Sequence, residues 1–475
     1  MSISAAGQQA ASPGPIPSLR KPADAAARME AEQARELEIH ALGVQTVIWG
    51  MQRLKAAQTL RNFTAPLPPG AVTPPFDPAP HGVNVWGHAR ALITHELRTI
   101  ETPNTETLMS TAVVDLGDGP IVVVHPDFGD RYFRSSVWDL GGATHTISQK
   151  RDGGHPAPCA LLPAGWAGPV PDGMRTIRAQ SRYVFVAPHI GVLGADDLAA
   201  ARAVQQGLRL VALEDWTGSR QDVAPGAPMR PLRRPDTTTP AELLLFEELC
   251  ETLKDVTPPD EELAFARQAE RIGVTLADGF RVEGLDEAAI AALARAVLDA
   301  QSVLEHKART LEPVQPGGTW MVGLDLAGEG DWLFRGAVGW KHVWGELAEE
   351  LIVPFARIDE NGDELTGAHR YTLRFAAGGQ PPARYWRISM YDLDGFFIDN
   401  PIRRYGIGNM GETPWVDADG SVTVRLQHER PAEGEEANWL PTPEGGFFLA
   451  LRMYQPDERM AAGEYIVPPL RRDDA

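Results

Sequence analysis

Cysteine is scarce in this chain: two in 475 residues, Cys159 and Cys250, far apart in sequence. That is too few for a disulfide framework and fits two buried free thiols. Positive charge is in deficit too. The 64 Asp and Glu outweigh 44 Lys and Arg, for a formal net charge of −20. Nucleic acid is thereby excluded as the main partner, because phosphates are bound by clustered Lys and Arg. An anionic membrane surface is disfavoured for the same reason, and an acidic balance otherwise serves solubility. No apolar run reaches the roughly 20 residues of a membrane span. The N-terminal MSISAAGQQAASPGPIPSLRK has no apolar core behind a basic start, so no signal peptide is expected and the expected location is cytoplasmic.

Common catalytic signatures are missing as well. The Gly-Gly pairs at 141, 153 and 378 lack the Lys-Ser/Thr of a phosphate loop, and there is no Gly-x-Ser-x-Gly elbow. His88 and His95 stand two turns apart, not at the i, i+4 spacing of a zinc helix, while His125, His145 and His155 are scattered. Asp359-x-Asn361-x-Asp363 starts like a calcium loop. However, Glu364 replaces the sixth-position Gly and Arg370 the twelfth-position Glu. This segment, Asp392-Leu393-Asp394-Gly395 and Asp417-Ala418-Asp419-Gly420 therefore read as turns. No metal and no cofactor is expected.

What is present is an ordinary globular composition, 43% hydrophobic and 23% charged, long enough for two or three domains. Residues 1–22 read as a disordered arm rich in Ala, Ser, Pro and Gly. Residues 23–82 carry a helix over 24–58, weakened by Gly43 and Gly50, then a Pro-rich extended segment. Residues 83–216 show short strands at 112–116, 121–125, 132–138, 159–162 and 183–187, then a helix over 194–209. Such strands, each bounded by Gly, Pro or Asp, suggest a sandwich or barrel. Residues 217–238 form a linker. Residues 239–355 read as helical, opened by Thr239-Pro240-Ala241-Glu242, with a long Ala-rich helix over 285–311 and another helical stretch over 332–353. Residues 356–475 return to β structure. The expected fold class is α+β and β-rich: two jelly-roll-like β-sandwich domains, a helical connecting segment and an N-terminal helix.

The last domain is organised around YWRISMYDLDGFFIDNPIRRY at 385–405, which reads as a hairpin turning at Asp392-Leu393-Asp394-Gly395. Around it stand Tyr371-x-Leu373-x-Phe375, Asn400-Pro401, Arg404-Tyr405, Asn438-Trp439-Leu440-Pro441 and Arg452-x-Tyr454-x-Pro456. These residues resemble a bacterial domain of unknown function, number 1214. Upstream, Pro103-Asn104-Thr105-x-Thr107-Leu108, Arg131-Tyr132, Asp139 and Gly165-x-x-Gly168-x-Val170-Pro171 resemble its usual partner, number 1254. The resemblance implies two β-sandwich-like domains with helices between them. It implies no established reaction, and it leaves export open. It also marks departures from the usual pattern at Thr102, Glu106, Met109, Ser136 and His189.

Candidate site residues follow from these motifs. Glu106 and Asp139 are the candidate acid and base, since a cleft between domains can raise a carboxyl pKa. Asn104, Tyr132, Trp138, His189, Arg404, Tyr405 and Trp439 are candidate ligand contacts. Arg404 is expected to hold a carboxylate, with an internal one favoured over a ligand's. Three functions remain open. One is a hydrolase or lyase acting on a small polar or anionic substrate in an interdomain cleft. Another is a non-catalytic module for a small polar or carbohydrate-like ligand, with Trp138, Trp386 and Trp439 as stacking platforms. The third is a protein whose site has decayed to a structural role. The expected partner is a small molecule, with no nucleic acid and no membrane, and a homo-oligomer is left open.

Overall fold

In the computed structural model, which describes residues 31–327, 331–411 and 413–473, the chain enters through a long helix, α1 (Ala31–Thr64). The expected disordered arm lies outside the described residues. Gly43 and Gly50 do not weaken α1 by accident. A Cβ at Gly43 would lie 2.8 Å from the Ala296 Cβ, and one at Gly50 would lie 2.5 Å from Leu249 Cδ1. Both glycines admit a neighbouring helix at close range, which offsets their cost of about 1 kcal/mol each in helix propensity. The helices packed on α1 are α4 (Leu244–Leu253) and α6 (Glu287–Ala308), which the two glycines face, with α5 (Asp260–Ala269) and α7 (Trp332–His342). Asp286 caps α6 by accepting from the Ala289 N–H at 2.9 Å, and Asp331 caps α7 through Phe334 at 2.7 Å. Val47, Trp49, Phe246, Leu249 and Leu293 lie in their common core.

The first β unit is two sheets over one core. One has the order β1 (Gly87–His88), β2 (Thr107–Asp115), β8 (Tyr183–Gly191), β4 (Phe133–Asp139) and β5 (Thr144–Ser148). The other runs β7 (Arg175–Arg178), β6 (Cys159–Leu162), β3 (Ile121–Val124) and β9 (Arg209–Ala212). All pairings are antiparallel except β6 with β7. Alternation along β3 sends Ile121 and Val123 inward and Val122 and Val124 to the opposite face. Short helices α2 (Gln149–Asp152) and α3 (Leu198–Gln205) punctuate this unit. The helix expected over 194–209 is shorter because Arg209–Ala212 pairs with β3 as a strand.

The second β unit repeats the two-sheet plan. Its larger sheet has the order β10 (Trp320–Met321), β12 (Phe355–Ala356), β18 (Phe448–Pro456), β14 (Ala383–Tyr391) and β15 (Gly406–Gly408), with β11 (Leu351–Ile352) also on β18. Its smaller sheet has the order β17 (Trp439–Pro441), β16 (Val422–Gln427), β13 (Tyr371–Phe375) and β19 (Arg471–Arg472). A short α8 (Glu458–Ala461) follows β18. Two expectations are corrected here. The stretch 332–353 is not one helix. It stops at His342, where Val343 takes a φ of 67°, and 351–356 already belongs to the second sheet. The hairpin at 385–405 keeps its turn, closed by Asp392 N–H to the Phe396 carbonyl at 2.9 Å. Its return strand, however, is Gly406–Gly408, because 398–405 loops out around Asn400, whose side chain bonds the backbone of Ile398 and Arg404.

Among the described residues no helix is long and apolar enough to cross a membrane. The helical unit is pinned by a buried carboxylate, Glu262 on α5. It accepts from Trp49 Nε1 and Arg53 Nη2 at 2.6 Å each, and from Arg335 Nη2 at 2.8 Å. Both Glu262 and Arg53 side chains are only 3% exposed. Replacing Glu262 by Gln leaves the Arg53 charge buried without a counter-ion, and should cost about 3–5 kcal/mol in urea unfolding. A loss below about 1 kcal/mol, the size of a surface pair, would contradict this.

Candidate functional site

A cavity of about 290 Å³ opens where the two β units meet the stretch that follows α7. The first unit supplies one wall by strand register. Met109 on β2, His189 on β8 and Arg134 on β4 are cross-strand partners in one row, and Ser148 on β5 continues it. Residues in such a row share a face of the sheet. Met109, His189 and Arg134 line the cavity, with Asn104 and Thr107 beside them at the head of β2. Arg452 of β18 comes from the second unit and Glu346 from the loop after α7. The remaining wall is largely apolar: Ile93, Ile100, Leu326, Leu351, Val353 and Phe355.

Charge in this cavity is unevenly satisfied. Arg134 is buried, and its Nη2 lies 3.0 Å from Glu346 Oε1, while its Nε and Nη1 have no hydrogen-bond partner among the described residues. Ser136 donates to Glu346 at 3.2 and 3.0 Å. Burial nevertheless pushes the Glu346 carboxyl above its usual range, against the pull of Arg134. Glu350, accepting from Ser148 Oγ at 2.7 Å, is raised for the same reason. Arg452 is committed to the Tyr391 hydroxyl at 2.6 Å and to the carbonyl of Thr102. Burial, then the Arg134 and Arg452 charges, hold His189 well below the usual imidazole range, so it is neutral at pH 7. Its Nδ1 lies 3.1 Å from Thr107 Oγ1 and 3.4 Å from Asn104 Nδ2. Elsewhere on the lining, Glu312 holds Lys341 Nζ at 2.6 Å and His342 Nε2 at 2.9 Å.

Of the sequence candidates, Asn104 and His189 reach this cavity. Glu106 and Asp139 do not converge. Thr107 pairs with Gly191 and Asp139 with Val184, at opposite ends of β8, about 23 Å apart at 3.3 Å per residue. Glu106 is buried in the seam, bound by the Tyr454 hydroxyl, by the Thr105 N–H at 2.9 Å and by Arg387 Nε at 3.5 Å. Asp139 accepts the backbone N–H of Gln180 at 2.7 Å and of Ala143 at 3.2 Å, tying down two loops. Burial pushes its carboxyl up, but outside the cavity. The shared acid–base cleft is thus corrected to two separate structural carboxylates.

The aromatic candidates are packing residues. Tyr132 is fully buried, edge-on to Tyr454 at 5.2 Å and Tyr385 at 5.8 Å. Trp138 stacks on Trp344 at 5.2 Å, and Trp386 and Trp439 are buried in the second unit, so none is an open stacking platform. Tyr405 is buried with its hydroxyl 2.8 Å from His95 Nδ1. Among the described residues Arg404 holds no carboxylate. Its Nη1 donates to the backbone carbonyls of Trp439 at 2.9 Å, Glu436 at 3.0 Å and Ala437 at 3.2 Å. The Asp-rich segments are turns closed on themselves: Asp359 accepts from Asn361 and Asp363 N–H, and Asp392 from Asp394 and Phe396 N–H. Among the described residues no group of three or more His, Cys, Asp or Glu comes together to hold a metal ion.

Arg134, Glu346 and Arg452 were missed as site residues. Arg452 stands inside a quoted motif. Glu346 carries no local signal, because the residues it meets lie about two hundred positions upstream, Ser136 being 210 residues away. One sequence signal did point here: of the departures from the usual pattern, Thr102, Met109 and His189 line the cavity and Ser136 bonds Glu346.

Two outcomes follow. A carboxyl whose folded pKa is raised stabilises the fold below its unfolded pKa and loses that contribution as pH rises through the folded one. Wild type should therefore lose melting temperature relative to Glu346→Gln as pH climbs from about 4 to 8. A difference that stays flat across that range would refute the buried, raised carboxyl. Arg404→Ala strands three carbonyls and should lower stability by about 1–3 kcal/mol in thermal or urea melts. An unchanged melting temperature would show that those carbonyls find water instead.

A family model described as protein of unknown function (DUF1254) matches residues 83–212, and one described as protein of unknown function (DUF1214) matches residues 350–458. Among solved structures, the chain resembles the VPA0106 protein from Vibrio parahaemolyticus with a TM-score of 0.69 and 20% identity, over 92% of this chain and 100% of that one. A putative uncharacterized protein from Burkholderia cenocepacia aligns over 95% of this chain and 91% of its own, at 14% identity and a TM-score of 0.39. No curated protein matches significantly. The first likeness concerns the fold. The chain belongs to the paired DUF1254–DUF1214 proteins, its first β unit being the DUF1254 domain and its last the DUF1214 domain.

Proposed function

We propose that this protein binds a small organic anion, an acidic head on a short apolar body, in the cavity between its two β units. The observation that carries the reading is Arg134. Its side chain is buried, yet two of its donors, Nε and Nη1, have no acceptor among the described residues. Unmade hydrogen bonds on a buried charge are costly, of the order of 1–3 kcal/mol or more, and a guanidinium edge suits a carboxylate. The apolar wall of Ile93, Ile100, Val353 and Phe355 suits a hydrocarbon body. The volume of about 290 Å³ sits at the small end of ligand sites. Two jelly-roll-like sandwiches, the finer reading of the β units, would serve as rigid walls. A decayed site is the weaker reading, since decay would favour filling or neutralising the buried arginine.

A second reading is catalytic, a hydrolase or lyase. The Glu346 carboxyl, raised by burial beside Arg134, supports it as a general acid on a bound anion.

Thermal shifts separate the binding reading from a merely apolar pocket. Benzoate should raise the melting temperature while benzyl alcohol should not, and benzoate at 100 times its Kd would add about 2.7 kcal/mol. Arg134→Gln combined with Glu346→Gln, which leaves no unpaired charge, should abolish the benzoate response. Equal shifts from acid and alcohol would contradict the proposal.

A further inference from the structure

This inference rests on the anion-binding reading of the interdomain cavity and concerns how that site is regulated. Arg134 and Glu346 line the cavity side by side, Nη2 to Oε1 at 3.0 Å. A ligand carboxylate in that cavity would share a single guanidinium with Glu346, in a space walled by Ile93, Val353 and Phe355. Two carboxylates around one buried cation cannot both stay ionised cheaply, and the ordinary resolution is that one keeps a proton. We propose that anion binding in this cavity is coupled to proton uptake by Glu346, one proton from solvent for each anion bound.

The hydrogen bonds available to Glu346 fit that exchange. Ser136 Oγ reaches both its oxygens and can keep donating to the carbonyl oxygen of a protonated acid. The new O–H then has an acceptor in the bound anion, giving a chain from Ser136 through Glu346 to the ligand, closed by Arg134. The Glu346 side chain is 20% exposed, which gives solvent protons access.

Other charged groups around Glu346 are already committed. Arg452 of β18 is bound to the Tyr391 hydroxyl and the Thr102 carbonyl. His189 of β8 is held below the usual imidazole range by burial, then by the Arg134 and Arg452 charges. Glu312 holds Lys341 and His342. The rival proton acceptors are the neutral His189, already bonded to Thr107, and Glu350. Glu350 is bonded to Ser148 and faces Arg151 at 3.5 Å, and it does not line the cavity.

The test is isothermal titration of benzoate into the full chain in Tris and in imidazole. Two buffers of different ionisation enthalpy yield the number of protons exchanged without any variant. Wild type should take up close to one proton per benzoate at pH 7, and its affinity should fall about tenfold per pH unit above the Glu346 pKa. Glu346→Gln should bind benzoate with no proton uptake and a flat pH profile, while Glu350→Gln should behave like wild type. Uptake that persists in Glu346→Gln, or is absent from wild type while benzoate still binds, overturns the coupling and leaves the anion site standing. Failure of wild type and Glu346→Gln alike to bind benzoate at any pH overturns the site itself.

Discussion

The buried charge along the seam between the two β units is the constraint on which the rest depends. Arg134 of the first unit meets Glu346 at 3.0 Å, Glu106 of the first meets Arg387 of the second at 3.5 Å, and Ser148 holds Glu350 at 2.7 Å. A buried charge is tolerated only with its partner in place. Here the partners come from the second unit or from the loop after α7, so the first unit cannot bury its own charges alone. Such pairs add little net stability over apolar contacts, but they make one docking register much better than others. The apolar share of the seam, with Tyr132 packed against Tyr454 and Met410, supplies the burial that makes the charges expensive to misplace.

The cavity follows from the same arrangement. Three neighbouring strands place Met109, His189 and Arg134 in one cross-strand row, and the loop after α7 lays Glu346 over it. The guanidinium is met on one side only. An apolar cavity next to a half-satisfied buried cation is a poor structural solution and a good recognition site. Burial, with the two arginines, keeps His189 uncharged, so the wall offers fixed positive charge from arginine and a neutral imidazole beside it.

Much of the scaffold was legible from residue pattern. The strand at Cys159–Leu162 lies where its flanking prolines and apolar run put it, and the family motifs of both β units fall at the expected positions. Strands β5 and β7 escaped because THTIS and RTIR are short and polar or basic, and gain strand structure only from their neighbours, while β9, the apolar RLVA, directly follows a helical stretch. The hairpin at 385–405 misled for a local reason. Asn400 satisfies loop backbone on both sides, which lets 398–405 leave the sheet. For the site, Asn104 and His189 were readable and Arg134 with Glu346 was not. Glu106 and Asp139 seemed partners because both sit in family motifs of the same unit. Register alone separates them to opposite ends of β8, and register is a property of pairing that one strand's sequence does not display.

The central claim is that the half-paired Arg134 makes the cavity an anion site. A crystal of the full chain soaked with 4-bromobenzoate tests it most directly, because bromine can be located by anomalous scattering without prior assumptions. The account predicts one bromine peak among Ile93, Val353 and Phe355, with the carboxylate about 3 Å from a nitrogen of the Arg134 guanidinium. A peak elsewhere on the molecule, or an empty cavity in which a neighbouring side chain already satisfies Arg134, would contradict it.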